Sequence, residues 1–85
     1  MDPVRAALRR CMGSAIAQRR KAAGLSQDDV AQCCGLTRTS IVNVEAGRQE
    51  LPVRKLVLVG EALGCDYREL MPPPEVLRWL DGGAT

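Results

Sequence analysis

The sequence contains no histidine and no phenylalanine, and its aromatic content is one tryptophan and one tyrosine. Without histidine the commonest general base is missing. The four cysteines, Cys11, Cys33, Cys34 and Cys65, include no C-x-x-C pair, and with no histidine to complete a ligand set a zinc site is not expected. No phosphate-binding glycine loop of the P-loop type is present, and no nucleophile stands beside a base. The chain therefore reads as a non-enzyme that uses no metal and no cofactor. It also lacks an apolar run long enough to cross a bilayer. Asp2, Arg5, Arg9 and Arg10 interrupt the stretch where a secretory signal would carry its apolar region. The expectation is a cytoplasmic chain with no membrane contact, whose cysteines are free thiols.

With 85 residues there is room for one domain, and so poor an aromatic content leaves an aliphatic core of Leu, Val, Ile and Ala, joined by Cys and Met. Charge is unevenly spread. Residues 1–55 hold ten Arg or Lys against five Asp or Glu, and residues 56–85 hold two against five. The balances, +5 and −3, sum to the net +2. A basic front and an acidic back suit a protein that turns one face to a polyanion.

Helical periodicity runs through most of the chain. Asp2-Pro3 is a helix start, since Asp caps free N–H groups and Pro fits the first helical position. Val4, Leu8, Cys11, Ala15 and Ile16 then recur at helical spacing, predicting a first helix from Val4 to Ala23 that stops at Gly24. Gly13 weakens it, so the part before Gly13 is expected to fray or to form its own turn. Ser26 caps a second helix, with acids in its first turn and Gly35 as its stop. Thr37 caps a third, with Ile41 and Val44 inward and Gly47 as its stop. Val53–Leu63 is the fourth, ended by Gly64. Asp66 caps a fifth, Tyr67–Met71. Pro72-Pro73-Pro74 is expected to be extended. Residues 75–80 form a short amphipathic segment, and residues 81–85 a loose tail. The reading is all-α: residues 1–71 as one compact domain, then a Pro-rich linker and a short extension over residues 72–85. Cys34 reads as core, Cys11 and Cys65 as packing residues, and Cys33 as exposed.

Two short helices joined by a tight glycine turn form a helix-turn-helix unit, here about residues 27–46. The stretch GLSQDDVAQCCGLTRTSIVNVEAGRQELPVRKLVLVGEALG resembles the phage repressor and Cro type of helix-turn-helix protein, the XRE or Cro/C1 family. Several steric demands coincide: Ala31 is small where the helices approach, Gly35 permits a positive φ, and Ile41 and Val44 anchor the third helix. The resemblance covers Ile16 to about Leu70 and implies a five-helix, lambda-repressor-like fold.

It further implies a sequence-specific, DNA-binding transcriptional regulator, a repressor that grips a palindromic double-stranded operator as a homodimer. The recognition helix, residues 38–46, would lie in the major groove. Thr37, Arg38, Thr39 and Asn43 are then the base readers, with Val42 beside a thymine methyl. Arg38 is the sharpest of them, since guanidinium bonds guanine O6 and N7 together. Gln27 matches a family position that clamps the DNA backbone. Ser40, Arg48 and Arg19 are further phosphate candidates, with Lys21 and Arg54 behind them, while Arg54 and Lys55 read first as part of a solvated face. Arg20 and Glu45 match positions that the family pairs as a structural ion pair. Leu63, Tyr67, Leu70, Met71 and Trp79 are the candidates for the dimer interface. The alternatives are an antitoxin or interaction module that uses the fold to hold a protein partner, and a thiol-sensing regulator.

Overall fold

The computed structural model describes residues 3–80, with the side chains of all but residues 77, 79 and 80. Asp2, the expected first cap, and the tail over residues 81–85 lie outside the described residues, as does the side chain of Trp79. Five α-helices and one 3-10 helix follow in order: α1 (Pro3–Ala22), α2 (Gln27–Cys34), α3 (Arg38–Glu45), α4 (Val53–Leu63), the 3-10 helix (Tyr67–Leu70) and α5 (Pro74–Leu80). Among the described residues there is no strand.

Local chemistry explains the boundaries. The Ser26 hydroxyl accepts the Asp29 N–H at 3.0 Å, while the Asp29 carboxylate accepts the Ser26 N–H at 2.8 Å. This reciprocal capping box satisfies two otherwise orphaned donors. Thr37 Oγ1 accepts the Ser40 N–H at 3.1 Å and so starts α3. The first four helices all end in the same way. At the end of α2, for instance, the Leu36 N–H reaches the Ala31 carbonyl at 2.9 Å and the Gly35 N–H the Gln32 carbonyl at 3.5 Å. Gly35 sits at φ 65°, a left-handed conformation that costs a residue with a Cβ. This stop allows α3 to begin three residues later, which makes the tight turn between the two helices.

The core is aliphatic: Ile16, Val30, Ala31, Cys34, Ile41, Val44, Leu51, Leu56, Val59 and Leu70 are all buried. Helix α1 runs along α3, α2 packs on both α3 and α4, and the 3-10 helix covers α4. Ala31, 1% exposed, is small where α2 meets its neighbours.

Four expectations need correction. Helix α1 is not broken at Gly13 but continues from Pro3 to Ala22. Gly13 is buried, and a Cβ there would collide with the carbonyl oxygens of Val44 and Glu45, the latter at 2.9 Å. The glycine serves a helix crossing, and tertiary packing overrides its poor propensity. Pro74 does not belong to the extended stretch; it is the first residue of α5, a position that needs no N–H. Pro72 is buried, and α5 lies against α1. Cys11 is exposed rather than packed. Leu70 is 0% exposed and belongs to the chain's own core, so it is not available to a partner.

Candidate nucleic-acid interface

Helix α3 has two faces. Ile41 and Val44 are buried on one. At 100° per residue, Arg38, Val42, Thr39 and Asn43 fall within an arc of about 140° on the other. Arg38 and Thr39 are exposed, and Val42 and Asn43 are half-buried. The Arg38 side chain makes no hydrogen bond or ion pair with any described residue. Beside it an open groove of about 610 Å³ is lined by Arg20, Ser26, Gln27, Asp28 and Arg38. The starts of α2 and α3 meet here with a cation from the end of α1.

Glu45, the last residue of α3, ties three helices together. Arg20 Nε donates to Glu45 Oε2 at 2.7 Å and Arg20 Nη2 to Oε1 at 3.0 Å, a bidentate pair. Its side chains are 12% and 8% exposed. Arg20 Nη1 also donates to the Leu25 carbonyl at 2.9 Å, and Gln27 Nε2 donates to Glu45 Oε1 at 3.1 Å. Burial works to raise the Glu45 carboxyl, but the hydrogen bonds from Arg20 and Gln27, with the charge of Arg20, leave it below the ordinary carboxylate range. The Arg20 guanidinium is pushed up, first by its hydrogen bond to Glu45.

A carboxyl lowered on folding stabilises the native state above its unfolded pKa, and that stability is lost as pH falls through the folded value. Asp29 is likewise lowered by its Ser26 bonds, and Asp66 is lowered to about 2 by Arg68. The urea midpoint of the wild type should therefore fall on acidification below about pH 5. A Glu45→Gln variant, starting lower at neutral pH, should fall less steeply. Parallel profiles for the two would show that Glu45 adds nothing to acid unfolding.

The other candidates fall into place around this frame. The Thr37 and Ser40 hydroxyls bond each other at 3.1 Å as well as capping α3. Arg48 is exposed just past α3. Its N–H is held by the Asn43 carbonyl at 2.9 Å, and its Nη1 reaches Asn43 Oδ1 at 3.5 Å. Lys21 and Arg54 are exposed. Arg19, read as a phosphate contact, points elsewhere: its Nη2 pairs with Glu69 Oε1 on the 3-10 helix at 3.4 Å. The groove-lining cation of α1 is its neighbour Arg20. Around the 3-10 helix, Leu63, Tyr67 and Met71 are half-buried.

Two residues escaped the sequence reading. Lys55 is no solvated surface charge; its Nζ donates to the Cys34 carbonyl at 2.9 Å, a cation on the C-terminal end of α2. Twenty-one positions separate the partners, so no local pattern signals the bond. Asp28 lines the groove and accepts from Gln32 Nε2 at 3.2 Å; the sequence shows it only as an acid of the first turn. Among the cysteines, Cys34 is buried, and burial pushes its thiol up, away from the reactive thiolate. Cys33 is exposed.

Comparison with known proteins agrees with this geometry. The family described as helix-turn-helix matches residues 16–70. The chain is 36% identical over 62 residues to a hypothetical transcription factor of Neisseria meningitidis, covering 72% of this chain and 58% of that protein. It thus spans little more than half the length of that relative. An uncharacterised HTH-type transcriptional regulator of Sinorhizobium fredii is 31% identical over 68 residues, which cover 80% of this chain and 88% of the relative. Among solved structures, the restriction-modification controller protein C.AhdI of Aeromonas hydrophila superposes with a TM-score of 0.71 at 30% identity, covering 74% of this chain and 96% of the controller. Among the described residues no helix is long and apolar enough to cross a membrane. Matched over residues 16–70, with a capped two-helix unit that leaves one face of α3 exposed, the chain belongs to the Cro/C1-type helix-turn-helix family of transcriptional regulators.

Proposed function

We propose that the chain reads double-stranded DNA with α3 in the major groove and represses transcription from a palindromic operator as a homodimer. The observation that carries this reading is the arc of Arg38, Thr39, Val42 and Asn43. It faces away from the core, with Arg38 and Thr39 exposed, beside a groove containing Gln27, while the opposite face of α3 is locked into the core. The Arg38 side chain, with no partner of its own among the described residues, has its full fork of donors for guanine. Thr37, Thr39, Val42 and Asn43 complete the base-reading set; Gln27, Ser40 and Arg48 serve the phosphates. Leu63, Tyr67 and Met71 offer the apolar surface for two-fold pairing. Half-site centres would then lie ~34 Å apart, one turn of DNA. The likeness to a restriction-modification controller supports a role as the regulator of a compact gene system.

The test is a selection of bound duplexes from a random pool, followed by titration of the winner at two salt concentrations. A palindromic consensus is expected. Arg38→Ala should cost about 1–3 kcal/mol and relax the choice at one G·C pair per half-site. Arg48→Ala should weaken binding to all sequences alike and flatten the salt slope by about one ion. A pool with no enriched sequence would sink the reading in favour of a protein partner for the α3 face.

A further inference from the structure

We infer that Glu45 is a positioning residue for DNA recognition: its Oε1 atom holds the Gln27 carboxamide ready to donate to a backbone phosphate. The inference rests on the reading of the Gln27 groove as the place where the DNA backbone lies.

A glutamine side chain has three rotatable bonds and an amide that can present either end. At the start of α2, beside an open groove, it would sample many orientations. Here Gln27 Nε2 donates to Glu45 Oε1 at 3.1 Å. A carboxylate accepts only, so the reversed amide, oxygen against oxygen, is disfavoured. One N–H is taken and the amide's orientation is set. The second N–H of the same nitrogen remains as the donor for a phosphate oxygen.

Glu45 is itself held. Two bonds from Arg20 fix both of its oxygens, and the Leu25 carbonyl fixes Arg20. The four residues join α1, its exit loop, the start of α2 and the end of α3. A bare carboxylate next to a phosphate would repel it; the bidentate Arg20, which also lines the groove, balances that charge. The pair that the sequence assigns to structure thus also pre-orders a DNA contact, and rotamer freedom already lost in the free protein is not lost again on binding.

The test titrates the selected operator with wild type, Gln27→Ala and Gln27→Asn, each checked for helicity by circular dichroism, and maps phosphate contacts by ethylation interference. Gln27→Ala should weaken binding roughly tenfold, equally at both salt concentrations because the contact carries no charge. Gln27→Asn keeps an amide and leaves the Arg20–Glu45 pair intact but is one methylene too short to reach Glu45. It should lose as much, together with interference at one phosphate per half-site. In an Arg20→Met/Glu45→Leu background, the further cost of Gln27→Ala should drop below about twofold. If Gln27→Asn binds as wild type, or Gln27→Ala costs as much in that background, Glu45 does not position Gln27. If Gln27→Ala itself is silent on the operator, the phosphate reading of Gln27 fails and takes this inference with it.

Discussion

Glu45→Ala is expected to destabilise the domain by about 3 kcal/mol, the lower end of the range for breaking a buried ion pair. The replacement strands the charge of the Arg20 side chain, which is 12% exposed in the native pair, with two of its three hydrogen bonds gone. Its bond to the Leu25 carbonyl and its place at the edge of an open groove keep the loss from reaching the upper end. Gln27 loses its acceptor as well. Against a total stability of about 5–15 kcal/mol for a small domain, such a change is visible in any urea titration. The informative control is Arg20→Met/Glu45→Leu. If the single variant suffers because a charge is stranded, apolar replacement of both partners should recover most of the loss. If the double variant is as unstable as Glu45→Ala, the hydrogen bonds to Leu25 and Gln27, not charge balance, hold the three helices in register. A single-variant loss under about 1 kcal/mol would place the pair with ordinary surface salt bridges.

Much of this architecture was legible because it is written locally. Ser26 with Asp29, Thr37 with Ser40, and Asp66 with Glu69 cap their helices within three residues of sequence. Gly24, Gly35, Gly47 and Gly64, read as stops, all sit at positive φ. The two faces of α3 followed from its period. The Arg20–Glu45 pair, separated by 25 positions, was foreseen by resemblance and not by any local pattern. What remained hidden depends on which elements meet in space. Lys55 finds the end of α2, Arg19 turns to the 3-10 helix, and Leu70 is drawn into the core instead of facing a partner. An amphipathic pattern says that a side chain is covered, without saying by what. For Leu70 the cover is the same chain; the run Pro72, Pro73, Pro74, read as extended, leads into α5, which lies against α1.

Gly13 shows this most sharply, because local and tertiary reasoning predict opposite signs for one substitution. Glycine inside a helix is worse than alanine by about 1 kcal/mol, so helix propensity alone makes Gly13→Ala stabilising. In the folded chain the added methyl would overlap the Val44 carbonyl oxygen, with the Glu45 carbonyl oxygen at 2.9 Å and its carbon at 3.1 Å. All three are backbone atoms in the last turn of α3, the turn whose Val44 carbonyl takes the Gly47 N–H at 3.1 Å and which Arg20 clamps through Glu45. No flexible side chain can move aside, so α1 and α3 must separate. Overpacking of this kind costs about 1–3 kcal/mol or more, and backbone against backbone belongs at the top of that range. After the propensity gain, Gly13→Ala should still lose roughly 2 kcal/mol, a fall of about 8–16 °C in Tm for a domain of this size. Ser14→Ala, at the exposed neighbouring position, should leave Tm nearly unchanged and controls for propensity. The same displacement shifts α3 relative to α2 and Gln27. Gly13→Ala should therefore lose operator affinity at temperatures where it is still fully folded, whereas a purely thermal defect would leave affinity intact. A rise in Tm would mean that α1 lies farther from α3 than the Gly13 contact requires, and that the glycine is a helix defect and nothing more.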